Sequence, residues 1–306
     1  MSGVTKCNCE QLKTEFMQKL YKEYKTSLKD TSVEEVVDLF FFRPIAFIIV
    51  KLIYRFPITP NQVSVLSMVV GIISGVFYAM GDKKSFLYAG LFYALSHLLD
   101  CCDGMIARMK KIGTPIGRII DGWADYTTST AVFVGLMIGL HHGSFQLPVS
   151  SPLLLIIPAA FSLAIHCIIV DHYRREFMAH GLGKTNTIRE DLQLFSTELK
   201  KLRKVKGKYL EKILIISYLG YTKLQLKKSV EKRKYPKDKY YKSNKPLLHL
   251  WNWIGLATHI SILIVATFLY DPMIFFYYVI VLANGWMLIV VIIQVRTNKK
   301  IAIKEL

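Results

Sequence analysis

Six predominantly apolar stretches of about 20 residues run through this chain. They extend from Pro60 to Met80, Ser85 to Met109, Pro115 to Leu140, Pro152 to His172, Leu247 to Tyr270 and Pro272 to Val295. At 1.5 Å per residue each is long enough to cross the hydrocarbon core of a bilayer. No water is present there to bond the backbone, so each run must satisfy its own N–H and C=O groups as a helix. The sequence therefore predicts an all-α integral membrane protein with six transmembrane helices.

A seventh apolar run, Val36 to Phe56, contains Arg43, Pro44, Lys51 and Arg55. Its charges favour an amphipathic helix lying in the membrane interface, cations toward lipid headgroups. With six spans, 38 of the 40 lysines and arginines fall on one side, leaving only Lys83 and Lys84 on the other. The positive-inside bias then puts both termini on the cytosolic face. No cleavable signal peptide is expected, because the first residues are polar and charged. The five cysteines suggest no disulfide framework: Cys7 and Cys9 face the cytosol, and Cys101, Cys102 and Cys167 lie in membrane segments.

The expected organisation is a cytosolic segment 1–35, the interfacial helix 36–56, a six-helix domain 57–180 plus 246–297, a basic cytosolic insertion 181–245 and a tail 298–306. The insertion holds 19 basic and 6 acidic residues, most of the chain's net charge of +18. Helical patterns run through Arg189 to Lys206 and Leu210 to Lys228. Attraction to anionic lipid and a merely solvated helical insertion are both consistent with this composition. Nucleic acid is not an expected partner of a segment tethered between membrane spans.

Within the apolar runs sit four carboxylates, Asp100 and Asp103 in the second, Asp121 and Asp125 in the third. Ionisable side chains inside a membrane are costly and mark functional sites. Helical rotation of about 100° per residue sets each pair on one face, so all four converge across the short Lys110–Thr114 connection. Four acids in that space repel one another unless cations neutralise them. An all-oxygen donor set points to Mg²⁺ or Mn²⁺, and two such ions about 4 Å apart clamp a pyrophosphate. Gly104 and Gly117 clear space for a ligand, and Arg108 supplies a fixed charge for a phosphate. Two other readings stay open on the residues alone: pairing of the acids with Arg108, Lys110, Lys111 and Arg118, and an ion-coupled transporter that uses the acids as a relay.

The pattern Asp100-x2-Asp103-Gly104-x2-Ala107-Arg108-x8-Gly117-x3-Asp121-x3-Asp125 resembles the signature of the CDP-alcohol phosphotransferases, membrane enzymes that make phospholipids. The resemblance implies that Asp100, Asp103 and Asp121 hold two metal ions and that Asp125 is both ligand and general base. It also implies a CDP pocket bounded by Gly104, Ala107, Arg108, Thr114 and Gly117, with Asn61 and Ser64 contributing after Thr59 and Pro60. Thr59 before Pro60 is equally an ordinary helix N-cap. The implied reaction is attack of an alcohol hydroxyl on a CDP-linked donor with release of CMP, and relatives imply a homodimer.

The six-span layout favours CDP-diacylglycerol as donor and a small polar alcohol as acceptor. CDP-choline or CDP-ethanolamine transfer to a lipid alcohol is the alternative. Candidate acceptor residues are Ser162, His166, Arg174 and Arg175. The interior of the last three spans has no lysine or arginine, which favours an uncharged inositol-type polyol over a phosphorylated one. His166 and His259 also read as packed core histidines, Asn284 as an interhelical hydrogen-bonding residue, and Trp251, Trp253 and Tyr270 as an interface belt.

Overall fold

Thr59 starts the first long helix: its hydroxyl accepts from the Gln62 N–H at 3.4 Å, and the Gln62 side chain accepts from the Thr59 N–H at 2.9 Å. This reciprocal capping box, with Pro60 at the first helical position, opens α3, Pro60–Met80. The computed structural model describes residues 2–29, 32–143, 145–183, 188–203 and 235–302, with 207, 209, 212, 215, 216 and 218–220 of the intervening segment. All elements among the described residues are helical. Before α3 come α1, Ser2–Ser27, and, after a π-helical turn Asp38–Phe42, α2, Arg43–Ile53. After it come α4, Lys83–Lys110; α5, Pro115–His142; α6, Leu153–Glu176; α7, Ile188–Arg203; α8, Lys237–Asn252; and α9, Leu256–Phe268. The chain finishes with α10, Met273–Tyr277, a π-helical turn Tyr278–Leu282 and α11, Ala283–Ile301.

Five of these stretches are long and apolar enough to cross a membrane: Pro60–Met80, Lys83–Lys110, Leu153–Gly181, Lys237–Phe268 and Met273–Ile301. The expected third span, α5, has the length but is not among the five. Its first half carries Arg118, Asp121, Asp125 and a run of hydroxyl residues, Thr127 to Thr130. Asp121 and Asp125 among them belong to the carboxylate cluster.

Glycines bring α3 and α5 into backbone contact. A Cβ placed on Gly135 would strike the Gly75 carbonyl, one on Gly75 the Ala131 carbonyl, and one on Gly139 the Tyr78 carbonyl. Small residues allow such an approach in membrane helices, where van der Waals packing drives association. This seam fixes the register of α5, and with it the carboxylates of that helix, against the start of α3.

Within the segment 1–35, Ser2–Ser27 form α1, rich in straight-chain helix formers such as Leu, Lys, Glu and Gln. Other expectations need correction. Arg43 does not face headgroups: it is 6% exposed and pairs with Glu34 at 3.3 Å. The fifth run is not one continuous helix but breaks at Trp253–Gly255, between α8 and α9. There the Glu35 carboxylate accepts from the Ala257 N–H at 2.9 Å and occupies the space a side chain on Gly255 would need. Trp251 is fully buried rather than in an interface belt, stacked on Tyr173 and donating to Gln294 at 3.1 Å.

In the insertion, α7 matches the first expected helix. Its buried Phe195 and Leu202 pack with Ile119 of α5 and with Ile215 and Leu219, and the Arg118 guanidinium lies over the Phe195 ring at 5.3 Å. Most of the second expected helix, Leu210 to Lys228, lies outside the described residues.

Candidate functional site

Antiparallel α4 and α5 supply the acids. Helix α4 ends at Lys110, whose ammonium donates to the Phe56 and Ile58 carbonyls at 2.8 and 3.0 Å. Lys111 closes the helix in the left-handed conformation, with φ of 55°. Helix α5 opens with Thr114 as N-cap, its hydroxyl accepting from the Gly117 N–H at 3.0 Å. Ligand oxygens of Asp100, Asp103 and Asp121 lie within 4.8 Å of one another. Asp103 is buried, and the other two are half-buried. Asp125 is outside this trio, one turn farther along α5.

The proposed nucleotide residues surround the trio. The Ser64 hydroxyl donates to the Asp103 carboxylate. Asn61 approaches Gly117 so closely that a Cβ there would lie 2.8 Å from its Oδ1. Gly104 makes room for Arg108, whose Nη1 would be 3.3 Å from a Cβ at that position. Ala107 is half-buried one turn from Gly104. Arg108 donates from Nε to the Ser27 carbonyl at 2.5 Å, while its buried Nη2 has no hydrogen-bond partner among the described residues. The residues fit a pair of divalent cations: three acids converge on one space, and a buried, unspent guanidinium N–H and two side-chain-free positions adjoin them.

A second charged cluster comes from the N-terminal segment and was not anticipated. Arg43 donates from Nη1 to the Cys101 carbonyl at 3.2 Å. Asp38, in the π-helical turn, accepts from Nε2 of His97 at 2.9 Å, and the Phe42 ring packs edge-on to the imidazole at 4.5 Å. Burial opposes ionisation of Asp38, but the His97 hydrogen bond and the charges of His97, Arg43 and Lys29 outweigh it and hold the carboxyl below its ordinary value. Asp38, His97 and Cys101 have ligand atoms within 4.8 Å of one another. The Arg43 charge beside them opposes a metal cation there. The signal that could have revealed this cluster is Glu34, Glu35 and Asp38 entering an apolar run that also holds Arg43.

The four candidate acceptor residues separate. Arg174 is held by Glu35 at 3.0 Å and by the Asn252 side chain at 3.0 Å. Arg175 is exposed. Ser162 and His166 join a buried network: Asn284 donates to Ser162 at 2.9 Å, and His166 lies 3.2 Å from both Asn284 Oδ1 and His259 Nε2. Asn284 also donates to the Val279 and Ile280 carbonyls released by the π-helical turn.

Comparison with known proteins adds to this geometry. A family model described as CDP-alcohol phosphatidyltransferase matches residues 57–215, more than half of the chain. The chain is 38% identical over 73 residues to a bifunctional IPC transferase and DIPP synthase of Archaeoglobus fulgidus, covering 22% of this chain and 14% of that protein. It is 31% identical over 85 residues to a phosphatidylinositol phosphate synthase of Corynebacterium glutamicum, covering 28% and 38%. A bifunctional IPC transferase and DIPP synthase of Rubrobacter xylanophilus is 29% identical over 83 residues, covering 27% and 18%. The matched region thus spans well under half the length of each of these relatives.

Proposed function

Since the chain belongs to the CDP-alcohol phosphatidyltransferase family and is a transferase of substituted phosphate groups, we propose that it moves a phosphatidyl group from CDP-diacylglycerol to an inositol-type polyol. The observation that carries this reading is the convergence of Asp100, Asp103 and Asp121 beside Arg108 and the cleared positions Gly104 and Gly117. The name of the Corynebacterium relative supports an inositol-type product, at low identity and partial coverage.

In this proposal Asp100, Asp103 and Asp121 hold two Mg²⁺ or Mn²⁺ ions, and Asp125 is a further ligand at their edge. Bound there, the ions would supply positive charge to the donor's pyrophosphate. Arg108 offers its unspent N–H to a phosphate oxygen, and Asn61 and Ser64 line the nucleotide side. Asp125 takes the proton of the acceptor hydroxyl as its oxygen attacks the donor's β-phosphorus. The new O–P bond forms as the P–O bond to CMP breaks, and CMP leaves with the electron pair. The reading assigns both termini and the acids to the cytosolic side of a six-span protein.

The test is a radiolabelled panel that crosses CDP-diacylglycerol, CDP-ethanolamine and CDP-choline with inositol, inositol phosphate, serine, glycerol phosphate and diacylglycerol. CMP release with CDP-diacylglycerol and inositol is the expected result. Preference for CDP-choline or CDP-ethanolamine with diacylglycerol would overturn the donor assignment. Silence with every donor in both Mg²⁺ and Mn²⁺ would point back to ion transport.

A further inference from the structure

Two residues of α4 within electrostatic reach of Asp125 each carry a polar atom without a hydrogen-bond partner among the described residues. Tyr93 is 5% exposed, yet its hydroxyl has no partner among the described residues. Its electrostatic neighbours include Asp125 and, from α6, Cys167. One turn along α4 is His97, whose Nε2 bonds to Asp38 while Nδ1 has no partner among the described residues. Neither atom is among the fully buried unsatisfied groups, which are Arg43 Nε, Arg108 Nη2 and Arg174 Nε among the described residues, so neither is completely enclosed.

Helix geometry sets their level. His97 precedes Asp100 by three residues, and Asp125 follows Asp121 by four, displacements of roughly 4.5 and 6 Å along antiparallel helices. His97 and Asp125 therefore stand at one level, a turn farther from the Lys110–Thr114 connection than Asp100 and Asp121. Tyr93, four residues before His97, is on the same face one turn farther still. The Asp38 carboxylate and the Phe42 ring fix the imidazole. With Nε2 engaged by the Asp38 carboxylate, Nδ1 is the ring nitrogen left for a ligand.

We propose that Tyr93, His97 and Asp125 form the subsite for the acceptor, and that the acceptor is an uncharged hydroxyl compound. This rests on the transfer reaction proposed above and deepens it. The Tyr93 O–H donates to one oxygen of the alcohol, and His97 Nδ1 hydrogen-bonds a second hydroxyl or the same one. Asp125 faces the oxygen that attacks. A hydroxyl is both donor and acceptor, and this trio matches it on both counts. The spans beside it are poor in cations for a phosphate: α4 has no lysine or arginine between Lys84 and Arg108, α5 none after Arg118, and α6 none before Arg174. Lys29 and Arg43, whose charges reach the acids, come from the N-terminal segment, where Arg43 is already held by Glu34 and the Cys101 carbonyl. Inositol and a lipid alcohol such as diacylglycerol share this chemistry, and the assay arms separate them.

The experiment compares the full-length protein with Tyr93→Phe and His97→Leu, each with CDP-diacylglycerol plus inositol and with CDP-choline plus diacylglycerol. The expected result in the active arm is at least a tenfold rise in acceptor KM with donor KM unchanged in both variants, and an unchanged thermal midpoint in Tyr93→Phe; His97→Leu also unpairs the buried Asp38 and lowers its midpoint. Equilibrium binding of labelled inositol and labelled diacylglycerol is measured alongside, and loss of binding in both variants is expected. Acceptor KM unmoved in Tyr93→Phe, donor KM rising equally, or better use of inositol phosphate than inositol would each overturn the subsite. If the wild type transfers nothing, the transfer reading fails, and the binding arm still decides: no retention of either uncharged alcohol by the wild type overturns the subsite as well.

Discussion

Arg108 donates from Nε to the carbonyl of Ser27, 2.5 Å away, and so ties the last turn of α4 to the end of α1. The guanidinium is thereby aimed by a residue outside the matched region 57–215, while Nη2 stays free for a ligand. A lysine has neither the Nε donor nor the planar fork. Arg108→Lys is expected to raise the donor KM by about tenfold, equivalent to about 1.4 kcal/mol of binding. Initial rates of CMP release against donor concentration measure it.

Asp125→Asn is expected to abolish transfer without unfolding the protein, because the amide cannot take up a proton and occupies the same volume. CMP release and the thermal midpoint, recorded on one preparation, check both halves. Full CMP release by this variant would remove Asp125 as the base.

Chelation is expected to stop transfer, with recovery on adding Mg²⁺ or Mn²⁺. The same ions should raise the thermal midpoint of the wild type, since a ligand that binds only the folded form stabilises it by mass action. In Asp100→Asn and Asp121→Asn that rise should shrink or vanish. A full rise in both variants would place the metal elsewhere.

Removing Glu35 strands the Ala257 N–H and takes from the half-buried Arg174 guanidinium its nearest carboxylate, leaving it the Asn252 side chain and the more distant Asp171. Breaking a buried ion pair on one side typically costs about 3–5 kcal/mol. Glu35→Ala should therefore lower the thermal midpoint far more than Lys51→Ala, which breaks an exposed pair with Glu23. Similar midpoints in the two variants would contradict the role of Glu35.

Asp38 makes a pH-dependent contribution of known sign. Its folded value is below the ordinary 3.8, so the stability it adds is present above that value and lost as pH falls through the lower folded value. The gap in thermal midpoint between wild type and Asp38→Asn should be widest near neutral pH and close as the solution is acidified below 3.8. A gap that widens on acidification would reverse the assignment.

The helical membrane architecture and the α4–α5 acids were legible because both depend on local pattern. Run length implies a membrane-crossing helix, and a three- or four-residue spacing puts Asp100 with Asp103 and Asp121 with Asp125. What was not legible depends on long-range partners. Arg43 reads as an interfacial cation until Glu34 and the Cys101 carbonyl are seen around it. Arg174 reads as a ligand for a phosphate until Glu35 takes it. The apolar run from Leu247 reads as one helix, because nothing near Gly255 announces that a carboxylate over 200 residues earlier will cap its second half. The buried position of Trp251 was hidden for the same reason, since Gln294 and Tyr173 are distant in sequence.

That carboxylate also orders events during assembly. Glu35 leaves the ribosome before any of the long helices, but the N–H it caps belongs to Ala257, made near the end. The Glu35 carboxylate must wait for that partner while α3 to α8 are made. The contacts of Glu35 with Arg174 and Ala257 are then among the last to close.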